Sequence, residues 1–204
     1  MNFEFTNEWF LDSAKNNWDQ LISQLNPRRI LEIGSYEGAS ACYLIQKLSD
    51  GTPLEVHCVD TWEGGVDHQG IDMGAVEGRF DRNIAAAKSL SNHPVEVIKH
   101  KGPSDLMLSR LIAEGRRNYF DFTYVDGSHQ APDVLFDAVA AFRLTRVGGL
   151  IAFDDYIWAE ALPYGIDLVR CPKPAIDAFT NLYWRKLNII SAPLYQLYVQ
   201  KVSD

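Results

Sequence analysis

The sequence predicts an α/β fold: a doubly wound, mostly parallel sheet with helices on both faces and an antiparallel hairpin at the C-terminus. Three observations carry this. Short apolar runs alternate with helical patterns along the chain, the signature of βαβ units. The run 120–126 is mostly apolar, Asp121 and Thr123 apart, and ends in an acid, as suits a strand buried on both faces. The last two runs, 187–191 and 194–201, are joined by a turn around Ala192-Pro193, too tight for a crossover helix, so they should pair antiparallel.

Taken in order, residues 1–28 read as a helical lead-in, with a helix over 7–25 whose Trp18, Leu21, Ile22 and Leu25 share one stripe. Strand 29–33 leads into helix 40–48. Strand 54–60 is followed by a Gly-rich loop and a helix near 76–90. Strand 95–100 precedes a helix near 104–114. After strand 120–126, Leu135, Ala138, Val139 and Phe142 recur at helical spacing, with Pro132 suited to the first turn. A fifth strand covers 149–154, residues 156–171 lack a clean period, and a helix near 174–183 precedes the hairpin. Segments 61–74 and 156–171 are the candidate lids or substrate loops. No repeat, low-complexity tract or linker divides the chain, so all 204 residues read as one domain.

Composition narrows the function. The net charge of −8 argues against a nucleic-acid partner, because phosphate binding needs clustered Lys and Arg. Cys42, Cys58 and Cys171 form no CxxC spacing, so neither a disulfide framework nor a zinc–cysteine site is expected. With no signal peptide and no apolar run long enough for a bilayer, the expected location is cytoplasmic, without a membrane partner. Oligomeric state, a homo-oligomer included, is left open.

In a doubly wound sheet, ligands bind outside the carboxyl ends of the strands. The first strand runs into Glu32-Ile33-Gly34-Ser35-Tyr36-Glu37-Gly38-Ala39-Ser40. Gly34 and Gly38 permit a sharp turn and close approach, and the following helix N-terminus favours a carboxylate or phosphate. The spacing is G-x-x-x-G, unlike the G-x-G-x-x-G of dinucleotide enzymes. Asp60 ends the second strand, where an acid can accept both hydroxyls of a ribose, although a solvated strand-end Asp would look the same. The turn Gly102-Pro103-Ser104-Asp105 could wall an adenine or simply start a helix.

The densest constellation lies further on. The fourth strand ends Val125-Asp126-Gly127-Ser128-His129 and the fifth ends Phe153-Asp154-Asp155-Tyr156. If the strands are neighbours, Asp126, Asp154, Asp155 and His129 converge on one sheet edge. Clustered carboxylates raise one another's pKa unless a cation offsets them, and oxygen ligands select a hard ion, Mg²⁺ first. Singly, Asp155 could cap a helix and His129 could be an ordinary loop histidine.

Together these segments resemble the class I S-adenosylmethionine-dependent methyltransferases, which have a Rossmann-like fold. They are similar to the metal-dependent O-methyltransferases of macrolide and aminocoumarin sugars, and more distantly to catechol O-methyltransferase. The resemblance spans residues 30–156. It implies that Glu32, Gly34, Ser35 and Gly38 line the methionine portion of S-adenosyl-L-methionine, Asp60 its ribose, and Gly102 and Ser104 its adenine. Asp126, Asp154 and Asp155 would hold a divalent metal, with Asp126 also beside the cofactor, and His129 would be the base or a further metal contact. Two positions depart from the pattern: Tyr36 replaces a common glycine, and Ser128 stands where some sugar enzymes carry an acid. Trp62, Tyr156 and Trp158 are candidates to stack on a small-molecule acceptor, here a sugar or diol-like hydroxyl compound. The rival readings are a metal-free methyltransferase, a non-catalytic adenosylmethionine-binding relative and an NAD-linked oxidoreductase, the last opposed by the glycine spacing and Glu32.

Overall fold

In a computed structural model, which describes residues 3–48 and 51–204, the chain builds one seven-stranded sheet. Its elements in order are α1 (Trp9–Ser13), α2 (Lys15–Leu25), β1 (Arg29–Ile33), α3 (Ala39–Lys47), β2 (Leu54–Asp60), α4 (Met73–Leu90), β3 (Val95–Lys101), α5 (Ser104–Ala113), β4 (Phe120–Val125), α6 (Ala131–Leu144), β5 (Thr145–Phe153), α7 (Lys173–Tyr183), β6 (Leu187–Ile190) and β7 (Leu197–Lys201). The strand order is β3-β2-β1-β4-β5-β7-β6. β1 to β5 are parallel, and β7 runs antiparallel to both β5 and β6. The expected doubly wound sheet with its closing hairpin is therefore present.

Each face of the sheet has its own apolar layer. On one, Trp18, Leu44 and Phe80 from α2, α3 and α4 pack with Val56 and Phe122. On the other, Leu108, Phe142 and Phe179 from α5, α6 and α7 pack with Leu31 and Phe153. The two layers explain why β4 is buried along its whole length. The order reverses direction between β1 and β4, so the crevice at their carboxyl ends is the switch point where a ligand has room.

Several boundaries differ from the sequence pattern: β7 begins at Leu197, not at residue 194, and three further differences have a visible cause. The leading helix is two helices, broken at Ala14, because Phe10 and Trp18 must both turn inward and meet edge to face at 5.0 Å. β5 begins at Thr145, not at residue 149, and its pairing with β4 shifts register between Phe120 and Phe122. Gly149 sits at that irregularity, where a Cβ would lie 2.7 Å from Thr145 Cγ2 and 2.9 Å from the Arg146 carbonyl. α4 begins at Met73, earlier than expected, because Asp72 caps it by accepting from Ala75 N–H at 3.1 Å. All three cysteines are buried and free, and no helix among the described residues is long and apolar enough to cross a membrane.

Trp18 is fully buried and meets Phe122 and Tyr124 edge to face at 5.1 and 4.7 Å, tying the N-terminal helices to the centre of the sheet. Trp18→Ala should lower unfolding free energy by about 3–5 kcal/mol, the scale for deleting a buried large aromatic. Urea denaturation followed by far-UV circular dichroism measures this, and a loss below about 1 kcal/mol would contradict the packing.

Candidate active site

The carboxyl ends of β1, β4 and β5 form the floor of a cleft of about 770 Å³. Backbone bonds stagger the strand ends into one platform: Asp126 N–H donates to Ile33 O at 2.8 Å, Asp154 N–H to Val125 O at 2.9 Å, and Gly34 N–H to Val59 O at 2.8 Å. Gly34 is essential to this platform. Its φ is +84°, and a Cβ there would fall 1.9 Å from the Asp126 carbonyl oxygen. The first turn thus lies directly against the fourth strand's end. Gly38, at φ +80°, opens α3, and a Cβ there would press on the Phe80 ring at 3.0 Å.

Beneath the turn, Glu32 is completely buried. Its Oε1 accepts from the Ser40 hydroxyl, while Oε2 has no hydrogen-bond partner, and Ser35 Oγ is likewise buried without one. Burial chiefly, with the Asp60 charge adding to it, pushes the Glu32 carboxyl up to about 7. Ser35 lines the cleft, whereas Glu32 and Gly38 do not, and the Glu32 carboxyl is sealed beneath the turn.

Asp60 works differently from the sequence expectation. Its Oδ2 accepts from Ser35 N–H at 2.8 Å and Tyr36 N–H at 2.9 Å, and its Oδ1 accepts from Trp62 N–H at 2.7 Å. The carboxylate therefore ties the β1–α3 turn to the end of β2. The Asp60 carbonyl accepts from Gly102 N–H at 2.9 Å, which brings that turn alongside, but Asp60, Gly102 and Ser104 all lie outside the cleft lining. Ser104 begins α5.

The acidic cluster does assemble. Asp126, His129 and Asp155 each offer one ligand atom, and these three atoms lie within 4.8 Å of one another. His129 Nε2 is 2.8 Å from Asp155 Oδ2, and its ring rests against Trp158 at 4.2 Å. Asp154 points elsewhere: it accepts the Tyr124 hydroxyl and, at 2.8 Å, the Asp155 N–H. His129, not Asp154, completes the trio in this geometry. Burial and the neighbouring carboxylates hold Asp126 well above the usual carboxylate range, and burial together with Asp155 raises Asp154 to about 6.

Among the three candidate stacking residues, Trp158 lines the cleft. Trp62 does not: only 3% exposed, it packs on Phe80 at 4.8 Å and donates its Nε1–H to the Tyr36 carbonyl at 2.9 Å. An indole flanked by an apolar run was bound to be useful to the core. Tyr156 also turns away, its hydroxyl bonded to Asp177 at 2.6 Å. The opposite wall escaped sequence reasoning. Trp9, Asp12, Asn16 and Asn17 of the N-terminal helices, with Tyr195 from the β6–β7 turn, line the cleft. A helical stripe predicts the buried face, and nothing in that pattern says that the other face borders a ligand. Tyr124 was likewise hidden inside an apolar strand.

Two outcomes test this architecture. Gly34→Ala combines positive φ with a backbone clash, so it should cost roughly 2–5 kcal/mol of stability; wild-type resistance to urea would disprove the close approach. Asp137, on α6 below Gly127, is 1% exposed with both carboxylate oxygens unpartnered, and burial raises it to about 7. A carboxyl whose folded pKa is raised binds more protons in the native state, so its contribution falls as pH rises from about 4 to 7. Asp137→Asn should therefore be more stable than wild type at pH 8, by about 3–4 kcal/mol, with the gap closing as pH falls to about 4. Equal pH–stability curves would refute this.

Comparison with known proteins identifies the family. A family model described as a methyltransferase domain matches residues 31–156, more than half of the chain. The Dictyostelium discoideum protein named "Probable caffeoyl-CoA O-methyltransferase 3" is 26% identical over 162 residues, 78% of this chain and 57% of its own. The chain spans little more than half the length of that relative. The O-methyltransferase TomG of Streptomyces achromogenes, solved with SAM, superposes with a TM-score of 0.66 at 18% identity, covering 96% of this chain and 86% of TomG. An O-methyltransferase of Bacillus cereus, solved with SAH, gives 0.61 at 20% identity, covering 93% and 82%. The two structures share the fold, and the family match extends from β1 through the acidic cluster: the chain belongs to the methyltransferase-domain family.

Proposed function

We propose that the protein is an S-adenosylmethionine-dependent O-methyltransferase acting on a hydroxyl of a small molecule, assisted by a divalent cation. The observation that carries this reading is the pairing of two features at adjacent strand ends. One is the glycine turn over a buried carboxylate with an orphaned oxygen; the other is the Asp126–His129–Asp155 trio beside it. Ser35 Oγ, unpartnered at the edge of the cleft, suits the ammonium of a methionine moiety, with the buried Glu32 carboxyl behind it. S-adenosylmethionine supplies an electrophilic methyl on sulfonium. A mixed oxygen–nitrogen trio fits Mg²⁺ or Mn²⁺, and such an ion supplies charge to orient acceptor oxygens and favour the alkoxide.

In the transfer, an acceptor oxygen lone pair forms the new C–O bond as the C–S pair returns to sulfur. The platform of Gly34 and Asp126 holds the two reactants at attack distance, which lowers the entropic part of the barrier. The hydroxyl proton leaves to a nearby base. A second, metal-free reading is favoured by one specific observation: at 2.8 Å, Asp155 orients the His129 ring and stabilises its protonated form, so the pair can itself take the proton. A His129 nitrogen bound to metal cannot do so, and chelation separates the two.

S-adenosylhomocysteine should raise the melting temperature while NAD leaves it unchanged; the reverse pattern would exclude methyl transfer. EDTA should abolish turnover and Mg²⁺ or Mn²⁺ restore it, whereas full activity in chelated enzyme would select the metal-free reading. His129→Ala should lower turnover by on the order of 10²–10⁴-fold under either reading, with S-adenosylhomocysteine binding retained.

A further inference from the structure

The cleft walls carry a strongly one-sided charge. Asp12, Glu37, Asp126, Asp154 and Asp155 line it, and among the described residues no lysine or arginine does. Basic residues on the bordering segments are already engaged by carboxylates. Arg79 holds Glu37 at 2.5 Å, Lys15 pairs with Asp19 at 2.9 Å, Arg170 with Glu160 at 2.7 Å, and Lys173 with Asp177 at 2.5 Å. Of the acids, Glu37 is satisfied by Arg79 and by Thr6. The strand-end acids belong to the chemistry just described. Asp12 belongs to neither group: it is exposed on α1, shares its wall with Ser13, Asn16 and Asn17, and forms no ion pair among the described residues. Trp9 beside it lies 5.3 Å from Tyr36, which stacks on His68 at 5.2 Å, giving this end of the cleft an aromatic lining.

We propose that the cleft selects its acceptor by charge, taking a hydroxylic small molecule that bears a protonated amine and rejecting phosphorylated and acyl-CoA acceptors. The proposal rests on the O-methyltransferase reading and sharpens it. Coenzyme A carries a diphosphate and a ribose phosphate, and such groups are held by Arg and Lys forks or by free backbone N–H groups. Here they would meet the Asp12 carboxylate, which has no ion pair among the described residues, and a lining without a single lysine or arginine to hold them. An ammonium group meets the opposite situation, with Asp12 and the side-chain carbonyls of Asn16 and Asn17 as acceptors and aromatic faces alongside.

Dopamine, hydroxytyrosol and caffeoyl-CoA present the same catechol diol with positive, neutral and strongly negative attachments. Binding of each to protein loaded with S-adenosylhomocysteine and Mg²⁺, read by tryptophan fluorescence, and kcat/KM with S-adenosylmethionine should fall in that order. At least about 10-fold should separate the first from the last, narrowing as salt screens the charges. Asp12→Lys should shrink that ratio about 10-fold, mainly through KM. Tighter binding or faster turnover of caffeoyl-CoA than of hydroxytyrosol overturns the proposal, as does a neutral probe that matches the amine. Binding of none of the three overturns it also, since the diol would then have no place in the cleft. The thermal shift with S-adenosylhomocysteine is read on the same samples. Its absence removes the methyltransferase reading itself, while its presence with a reversed charge order removes only the acceptor assignment.

Discussion

The site depends on one close approach, that of the turn after β1 to the end of β4. With a hydrogen as the Gly34 side chain, the Asp126 carbonyl can lie where any other residue would place its Cβ. Parallel pairing of β1 with β4 and of β4 with β5 then fixes how far each strand end projects. Asp126 follows Val125 immediately, and Asp154 follows Phe153, the register partner of Val125. Acids at equivalent positions on neighbouring parallel strands must emerge side by side. The crowding of charge is thus a consequence of register, not of any loop's own preference.

Crowding has a cost that the surroundings only partly offset. Asp154 is the best accommodated, since it accepts a tyrosine hydroxyl and a backbone N–H. Asp155 sits at φ +54°, a conformation uncommon outside glycine and asparagine, and there it gains the contact with His129. Asp126 stays furthest above the usual carboxylate range because burial and both neighbours act on it together. Glu32, one strand away, adds a further carboxylate at low dielectric, answered only by Ser40 in hydrogen-bond geometry. Four acids so placed would be a poor choice for stability alone. On the reading proposed above, cationic partners would offset that crowding, the sulfonium cofactor on one side and a metal ion on the other.

The scaffold was legible in the sequence because its signals are local. Apolar runs ending in Asp60, Asp126 and Asp154 mark three strand ends, and glycines at 34 and 38 mark the turn that must bend sharply. What stayed hidden depends on which way a side chain turns in three dimensions. Asp60 lies where a ribose-binding acid belongs, yet three backbone N–H groups reach its carboxylate first. Trp62 and Trp158 look alike as exposed-loop aromatics in a sequence; one has a Phe80 ring and a carbonyl to bury against, the other an imidazole at the cleft. The helical period of the lead-in identifies Trp18 and Ile22 as core but is silent on what Asp12 and Asn16 face.

That lead-in also shows how the fold separates chemistry from selection. The cleft floor comes from strand ends locked into the sheet, whereas its far wall comes from an N-terminal segment attached by a distinct set of bonds. Thr6 donates to Glu37 through backbone and hydroxyl, each at 2.7 Å, and Arg79 of α4 braces the same carboxylate. Glu4 N–H donates to Asn83 at 2.7 Å, the Glu4 carboxylate takes Arg82 at 2.8 Å, and the Asn83 amide reaches the Glu37 carbonyl at 2.9 Å. Glu37 itself lies in the glycine turn, so the arm that forms the far wall of the cleft is anchored to the loop that borders its floor. Side chains on α1 and at the start of α2 can then vary without disturbing the register of β1, β4 and β5. On the acceptor reading proposed above, a change of acceptor would need only new residues on that wall, while the floor, bound by the Gly34 contact and the strand register, leaves almost no such freedom.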